Sequence, residues 1–175
     1  KEAFNACLHP FIRNTVGSME FGGCFLNKRL NRNNDGGTTR RTTDIFQLAT
    51  TVLFQNPVQN FALAPNNLKD VSPVCMDYMK TIPTTWDETC FIDGYPGKYV
   101  VLARRHGGTW YVAAINAGKE TLKLKLDLEM FAGKTVSLYK DDKKGAPQLV
   151  PLKVKENGKV QLEILPQGGA VLVNK

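Results

Sequence analysis

From position 98 onward the chain is a succession of short apolar runs cut by turn signals, and no other feature limits its fold so sharply. "KYVVLARR" and "TWYVAAINA" flank His106-Gly107-Gly108, which predicts a hairpin. "TLKLKLDL" alternates strictly, placing Leu122, Leu124, Leu126 and Leu128 on one face. "TVSLYKD", "LVPLKVKENGKVQLEIL" and "GGAVLVNK" continue the series, and Asn157-Gly158 predicts a second hairpin. Regularly spaced strands of this kind predict an antiparallel β-sandwich or sheet domain over residues 83–175. Trp110 and Tyr111, adjacent in one strand, must point to opposite faces.

Before Pro83 the pattern differs. In "TTDIFQLATTVLFQNP", Ile45, Ala49, Val52 and Leu53 recur at helical spacing, with Thr42 or Thr43 able to cap the start and Pro57 following the end. "VQNFALA" is a short apolar run between prolines, consistent with a buried strand. "NNLKDVSPVCMDYMKTIP" reads as helix with a break at Pro73, placing Leu68, Val71, Cys75 and Met79 on one face. Helix, buried strand, helix is an α/β rhythm, so the fold class is α/β plus all-β. The boundary falls within 80–97, where "PTTWDETCFIDG" (83–94) joins the two regions. The polar stretch 27–41 reads as a long loop.

Composition narrows the functional classes. The net charge of +7 does not make a nucleic-acid surface. Lys123, Lys125, Lys153, Lys155 and Lys159 alternate with apolar residues as an outward strand face does, and no basic-aromatic motif accompanies the isolated arginine pairs. No run of about 18 apolar residues is present, so no membrane span is expected. Cys7, Cys24, Cys75 and Cys90 form no CxxC and sit in apolar stretches, which suits small buried hydrophobes better than a zinc cluster.

Few residues offer chemistry. Glu2, with Ala3, Phe4 and Ala6 beside it, is a carboxylate in a partly apolar surround, able to serve as a general acid or to stand as a surface acid. Glu20 lies among Gly17, Gly22 and Gly23, where a loop can approach a ligand or simply carry an ordinary turn acid. His9 is held extended before Pro10, with no histidine nearby to share a metal. Trp86 could stack on a sugar ring, with Asp87 and Glu88 on its hydroxyls, or fill the gap between layers. No Ser-His-Asp set, GxSxG or phosphate loop occurs.

"EAFNA", "LHPFIRNTVGSMEF", "IPTTWDET" and "GKYVVLARRHGGTWYVAAIN" together resemble the C-terminal portion of glycoside hydrolase family 97, which includes starch-utilisation α-glucosidases. The resemblance implies that residues 1–82 are the terminal βα units of a (β/α)8 catalytic barrel and that 83–175 are the C-terminal β domain. It implies a chain cut inside a barrel, from an α-glycosidase acting on α-linked glucosides or galactosides by a two-carboxylate mechanism, retaining or inverting. Glu2 matches the family's general acid, and Glu20 and Trp86 become substrate-contact candidates. A catalytic Ca²⁺ is implied, with Glu2 a possible ligand and the others outside this chain, as is a periplasmic or secreted location. Where the family pattern after "GSM" is Asp-Tyr-Thr-Pro, this chain has Glu20-Phe21-Gly22-Gly23, a departure on the acceptor side of the site. The fragment alone is expected to be inactive and to associate, with itself or the rest of its parent chain, through exposed barrel edges. A non-catalytic carbohydrate-binding module and a purely structural β domain are the alternatives.

Overall fold

The structure, a computed structural model, describes residues 1–29, 33, 35–63 and 65–174. Two short helices open the chain, α1 (Glu2–Ala6) and α2 (His9–Ile12), so His9, expected to be extended before Pro10, is instead the first residue of a helix that takes Pro10 in its first turn. Strand β1 (Cys24–Phe25) follows, then helix α3 (Asp44–Leu53). Strand β2 (Phe61–Ala62) pairs parallel to β1, ahead of a 3₁₀ turn (Pro65–Asp70) and helix α4 (Pro73–Met79). The rest is β: β3 (Glu88–Tyr95), β4 (Tyr99–His106), β5 (Thr109–Asn116), β6 (Leu122–Asp127), β7 (Thr135–Asp141), β8 (Pro147–Lys153), β9 (Lys159–Ile164) and β10 (Gly169–Val173).

Six of these strands form one antiparallel sheet in the order β3-β4-β5-β10-β7-β8, and β6 with β9 forms a separate two-stranded ribbon. The central strands β4, β5 and β10 are buried on both sides. Val100, Leu102, Ala113, Ile115, Val171 and Val173 face the helical segment, while Val101, Ala103, Val112, Ala114, Ala170 and Leu172 face the ribbon. Strands covered on both faces need apolar residues at every position, which "YVVLA", "YVAAI" and "AVLV" supply. The expected antiparallel β architecture is present in β3 to β10, with Tyr111 toward the helices and Trp110 toward the ribbon. In the ribbon Leu124 and Leu126 are buried and Lys123, Lys125 and Lys159 are exposed, as strict alternation requires.

Helix α3 is the centre of the other layer. Thr43 caps it, its hydroxyl accepting from the Phe46 N–H at 3.1 Å. Every residue from Ile45 to Leu53 is buried. It lies almost on the sheet: a Cβ at Gly169 would fall 2.8 Å from the Phe46 Cα, so β10 can start there only with glycine. Buried hydroxyls on α3 are satisfied locally, Thr51 Oγ1 donating to the Leu48 carbonyl at 2.6 Å and meeting the Tyr78 hydroxyl at 2.9 Å.

Several expectations change. Asn157-Gly158 makes a turn but no hairpin, because β8 pairs with β7 and β9 with β6, so the chain there crosses between sheets. The buried Val154 starts that crossing, its N–H bonding the Lys134 carbonyl at 2.8 Å. The junction 83–94 contains strand β3, hidden in the sequence by a bulge between Phe91 and Asp93 that interrupts its alternation. "VQNFALA" yields two half-buried strand residues, and its Ala64 lies outside the described residues. Leu68, placed by the 3₁₀ turn, is 47% exposed and leaves the face of Val71 and Cys75. Of the loop 27–41, residues 30–32 and 34 lie outside the described residues; the others include a bridge between Arg29 and Thr39. The barrel itself is not displayed by this chain, whose one parallel contact is the β1–β2 pair among the described residues. The four cysteines are unpaired thiols, with Cys7, Cys24 and Cys75 buried. No helix among the described residues is long and apolar enough to cross a membrane.

Candidate active-site cleft

The opening helices, the 21–25 segment and α3 surround a cleft of about 480 Å³. Its walls are mostly aromatic, Phe21, Phe25, Phe46 and Phe54, with Glu2, Asn5, His9, Gln47 and Thr50 as polar members. Gly23 makes the 21–25 segment possible: it has φ +119°, and a Cβ there would lie 2.7 Å from the Asn60 carbonyl oxygen. The Cys24 N–H bonds that same carbonyl at 2.8 Å, anchoring β1 against β2.

Glu2 is exposed and opens into the cleft. Its Oε1 accepts from Gln47 Nε2 at 2.8 Å and from Thr42 Oγ1 at 3.3 Å. Gln47 is buried, and its Oε1 accepts from the Phe25 N–H at 3.1 Å. His9 stands edge-on to Phe54 with ring centroids 5.5 Å apart, and burial, with Arg13 adding, lowers its pKa and favours the neutral imidazole. Phe21 packs edge-on against Phe54 from the other side, at 4.7 Å.

The three residues singled out in the sequence are not gathered at one point. Glu2 lines the cleft. Glu20 is exposed and precedes the wall residue Phe21. Trp86 is half-buried elsewhere, edge-on to Tyr111 at 5.4 Å and packed on the helix-side core. Asp87 and Glu88 have partners in the sheet: Asp87 Oδ2 accepts from the Gly107 N–H at 2.7 Å, and Glu88 pairs with Arg105 at 3.2 Å. Gln47 was missed, although a lone amide inside an apolar helical run is the kind of signal that marks a buried polar role. Among the described residues no group of three or more His, Cys, Asp or Glu stands together. The described residues therefore do not gather a calcium site by themselves, and Glu2 is the one carboxylate they bring to the cleft.

A cleft with one exposed carboxylate, aromatic walls and hydrogen-bonded polar groups suits a carbohydrate ligand, and the comparisons with known proteins agree in class. Residues 85–174 match the family model described as "Glycosyl-hydrolase 97 C-terminal, oligomerisation". The chain is 29% identical over 93% of its length to a retaining alpha-galactosidase of Bacteroides thetaiotaomicron, covering 26% of that protein. It is 34% identical over 62% of its length to a probable retaining alpha-galactosidase of Streptomyces bingchenggensis, covering 16% of it. Among solved structures, a beta-arabinopyranosidase is 84% identical, with a TM-score of 0.96 over 99% of this chain and 28% of that one. A family 97 enzyme from Pseudoalteromonas sp. strain K8, in complex with acarbose, shares the fold at 22% identity, with a TM-score of 0.79 over 98% of this chain and 28% of that one. The chain thus spans about a quarter of the length of its longer-aligned relatives, and it belongs to glycoside hydrolase family 97, with residues 85–174 as the family's C-terminal domain.

Proposed function

We propose that this chain is the closing portion of a retaining glycosidase that cleaves β-L-arabinopyranosides, with the matching α-D-galactosides as second substrates. The observation that carries the proposal is the 84% identity, over 99% of the chain, to a beta-arabinopyranosidase. The relatives named alpha-galactosidases fit with it chemically. β-L-Arabinopyranose and α-D-galactopyranose share configuration around the ring and differ only in the hydroxymethyl group on C5, so one site can take both. This narrows the expectation of α-glucosides or α-galactosides to the galacto configuration.

Within this reading Glu2 is the proton donor. It would protonate the glycosidic oxygen as the bond breaks and then, as a carboxylate, take a proton from the water that releases the sugar. Retention needs a second carboxylate on the opposite face of the sugar. Glu2 is the one carboxylate lining this cleft among the described residues, so its partner would lie in another part of a longer protein. Residues 1–82 would then close a (β/α)8 barrel, a role supported by the parallel β1–β2 pair with α3 between its strands. Glu20 is proposed as a leaving-sugar contact; Trp86 lies outside the cleft's lining, half-buried against Tyr111, and is given no part in the cleft. The calcium that the family resemblance implies would take at most Glu2 from this chain, and a periplasmic or secreted location belongs to the same reading. Self-association is likewise proposed, supported by the match to a family domain associated with oligomerisation.

The test is a comparison of kcat/KM for the full-length protein on nitrophenyl β-L-arabinopyranoside, α-D-galactopyranoside and α-D-glucopyranoside. The first two are expected to exceed the third by about 100-fold or more, since a site bonded to an axial hydroxyl rejects its epimer. Preference for the glucoside would overturn the proposal. The 175-residue chain alone should show no turnover. Turnover abolished by Glu2→Gln in that isolated chain would refute the need for a second carboxylate from elsewhere.

A further inference from the structure

We infer that Gln47 and Thr42 are positioning residues that fix which oxygen of Glu2 delivers the proton; the inference rests on the assignment of Glu2 as proton donor. Gln47 cannot be oriented the other way. Its Oε1 faces the Phe25 N–H at 3.1 Å, so the amide N–H₂ must face Glu2 and Thr42, at 2.8 and 2.9 Å. A flipped amide would set donor against donor at Phe25 and oxygen against carboxylate at Glu2. The side chain is 4% exposed and sits within α3, so it has little freedom to swing away. Thr42, 3% exposed, accepts from Gln47 and turns its own O–H toward Glu2 Oε1 at 3.3 Å.

Both donors converge on Oε1. An oxygen that accepts two hydrogen bonds is a poor place for a proton, so the proton of the neutral acid sits on Oε2, which has no partner among the described residues. In the first step Oε2–H gives its proton to the glycosidic oxygen. The anomeric C–O bond breaks with its electron pair going to that oxygen, and the opposing carboxylate bonds the anomeric carbon. Glu2 is left as a carboxylate held by the same two donors. The clamp thus prepares the same oxygen to accept a proton from water in the second step.

The experiment uses the full-length protein and the leaving-group dependence of kcat/KM, which reports the first step. A methyl β-L-arabinopyranoside needs proton delivery; a dinitrophenyl β-L-arabinopyranoside does not. Glu2→Gln tests the underlying reading: it should lose about 100-fold more on the methyl glycoside than on the dinitrophenyl one. If that split is absent, the reading fails and the clamp with it. Given the split, Gln47→Leu should lose about 10-fold on the methyl glycoside with little change on the dinitrophenyl one. Equal losses on both, or none, would overturn the clamp while leaving Glu2 in its role. Should Gln47→Leu not fold, Thr42→Val against Thr42→Ser decides by the same criterion. The valine variant must show the split and the serine variant must not; any other pattern overturns the clamp.

Discussion

Asp141 provides the sharpest test of how the helical layer is fastened to the sheet. It lies at the end of β7, 6% exposed, with Oδ2 accepting from the Thr43 hydroxyl at 3.0 Å and the Gly169 N–H at 3.1 Å. It therefore ties the cap of α3 to the first residue of β10. Its Oδ1 is buried without a partner. Burial pushes the carboxyl up from 3.8 to about 6, against the two hydrogen bonds, which pull it down. At about 1.4 kcal/mol per pH unit, holding the ionised form in the fold costs roughly 3 kcal/mol. The sign follows from proton binding. Below pH 3.8 the group is neutral folded and unfolded and contributes nothing. Between 3.8 and 6 the unfolded chain releases the proton first, and stability falls; above 6 the full cost is present. Asp141→Asn keeps an oxygen for Thr43 and Gly169 but buries an unpartnered N–H₂, which costs about 1–3 kcal/mol at every pH. Relative to wild type the variant should therefore gain about 2.5 kcal/mol between pH 4 and pH 8. Urea unfolding at several pH values, followed by tryptophan fluorescence, measures this. A difference that does not change with pH, or a carboxyl carbon titrating near pH 4 by NMR, would refute the reasoning.

Arg104 is 3% exposed, bonded to Thr89 and the Leu53 carbonyl, with its Nε unsatisfied and no carboxylate partner among the described residues; burial lowers its pKa to about 10. Arg104→Met should be neutral or stabilise by up to about 2 kcal/mol in urea unfolding at any pH from 5 to 9, and a loss above about 3 kcal/mol would reveal an unseen anion. Burial pushes the Cys7 and Cys75 thiols up to about 12 and Cys24 higher still. Native protein at pH 8 should accordingly react with a disulfide reagent at Cys90 alone, and fast labelling of a second thiol would contradict the packing. Gly169→Ala should cost about 1–3 kcal/mol, read as a lowered melting temperature, because its methyl has no room against Phe46.

What the sequence revealed of the fold tracks how local each determinant is. The α3 helix, its Thr43 cap and the β4–β5 hairpin are each set by residues close in sequence, and all are present. Pairing between distant strands is different. Asn157-Gly158 has the chemistry of a hairpin turn, yet β9 joins β6, more than 30 residues earlier, because Leu124 and Leu126 need the apolar face of β9 to cover the sheet. Local turn chemistry fixes a reversal of direction; the burial of faces fixes the partner. Strand β3 was lost for a related reason: a bulged edge strand breaks the period of two by which strands are recognised.

The cleft was legible only in part, and the missing part has a single cause. Ile45, Ala49, Val52 and Leu53 mark the face of α3 that meets the core, which assigns Gln47 to the opposite, outer side. That inference holds for a helix with solvent behind it. Here the opening helices and the 21–25 segment fold over that outer side, so Gln47 is 4% exposed and becomes part of the cleft's lining. Glu2 is met there from 45 positions away. A polar residue kept inside a covered helix loses its water and must find partners in the protein, and Gln47 finds three: a backbone N–H, a hydroxyl and the carboxylate of Glu2. The burial that makes the amide costly to keep also leaves it rigid enough to aim a carboxylate.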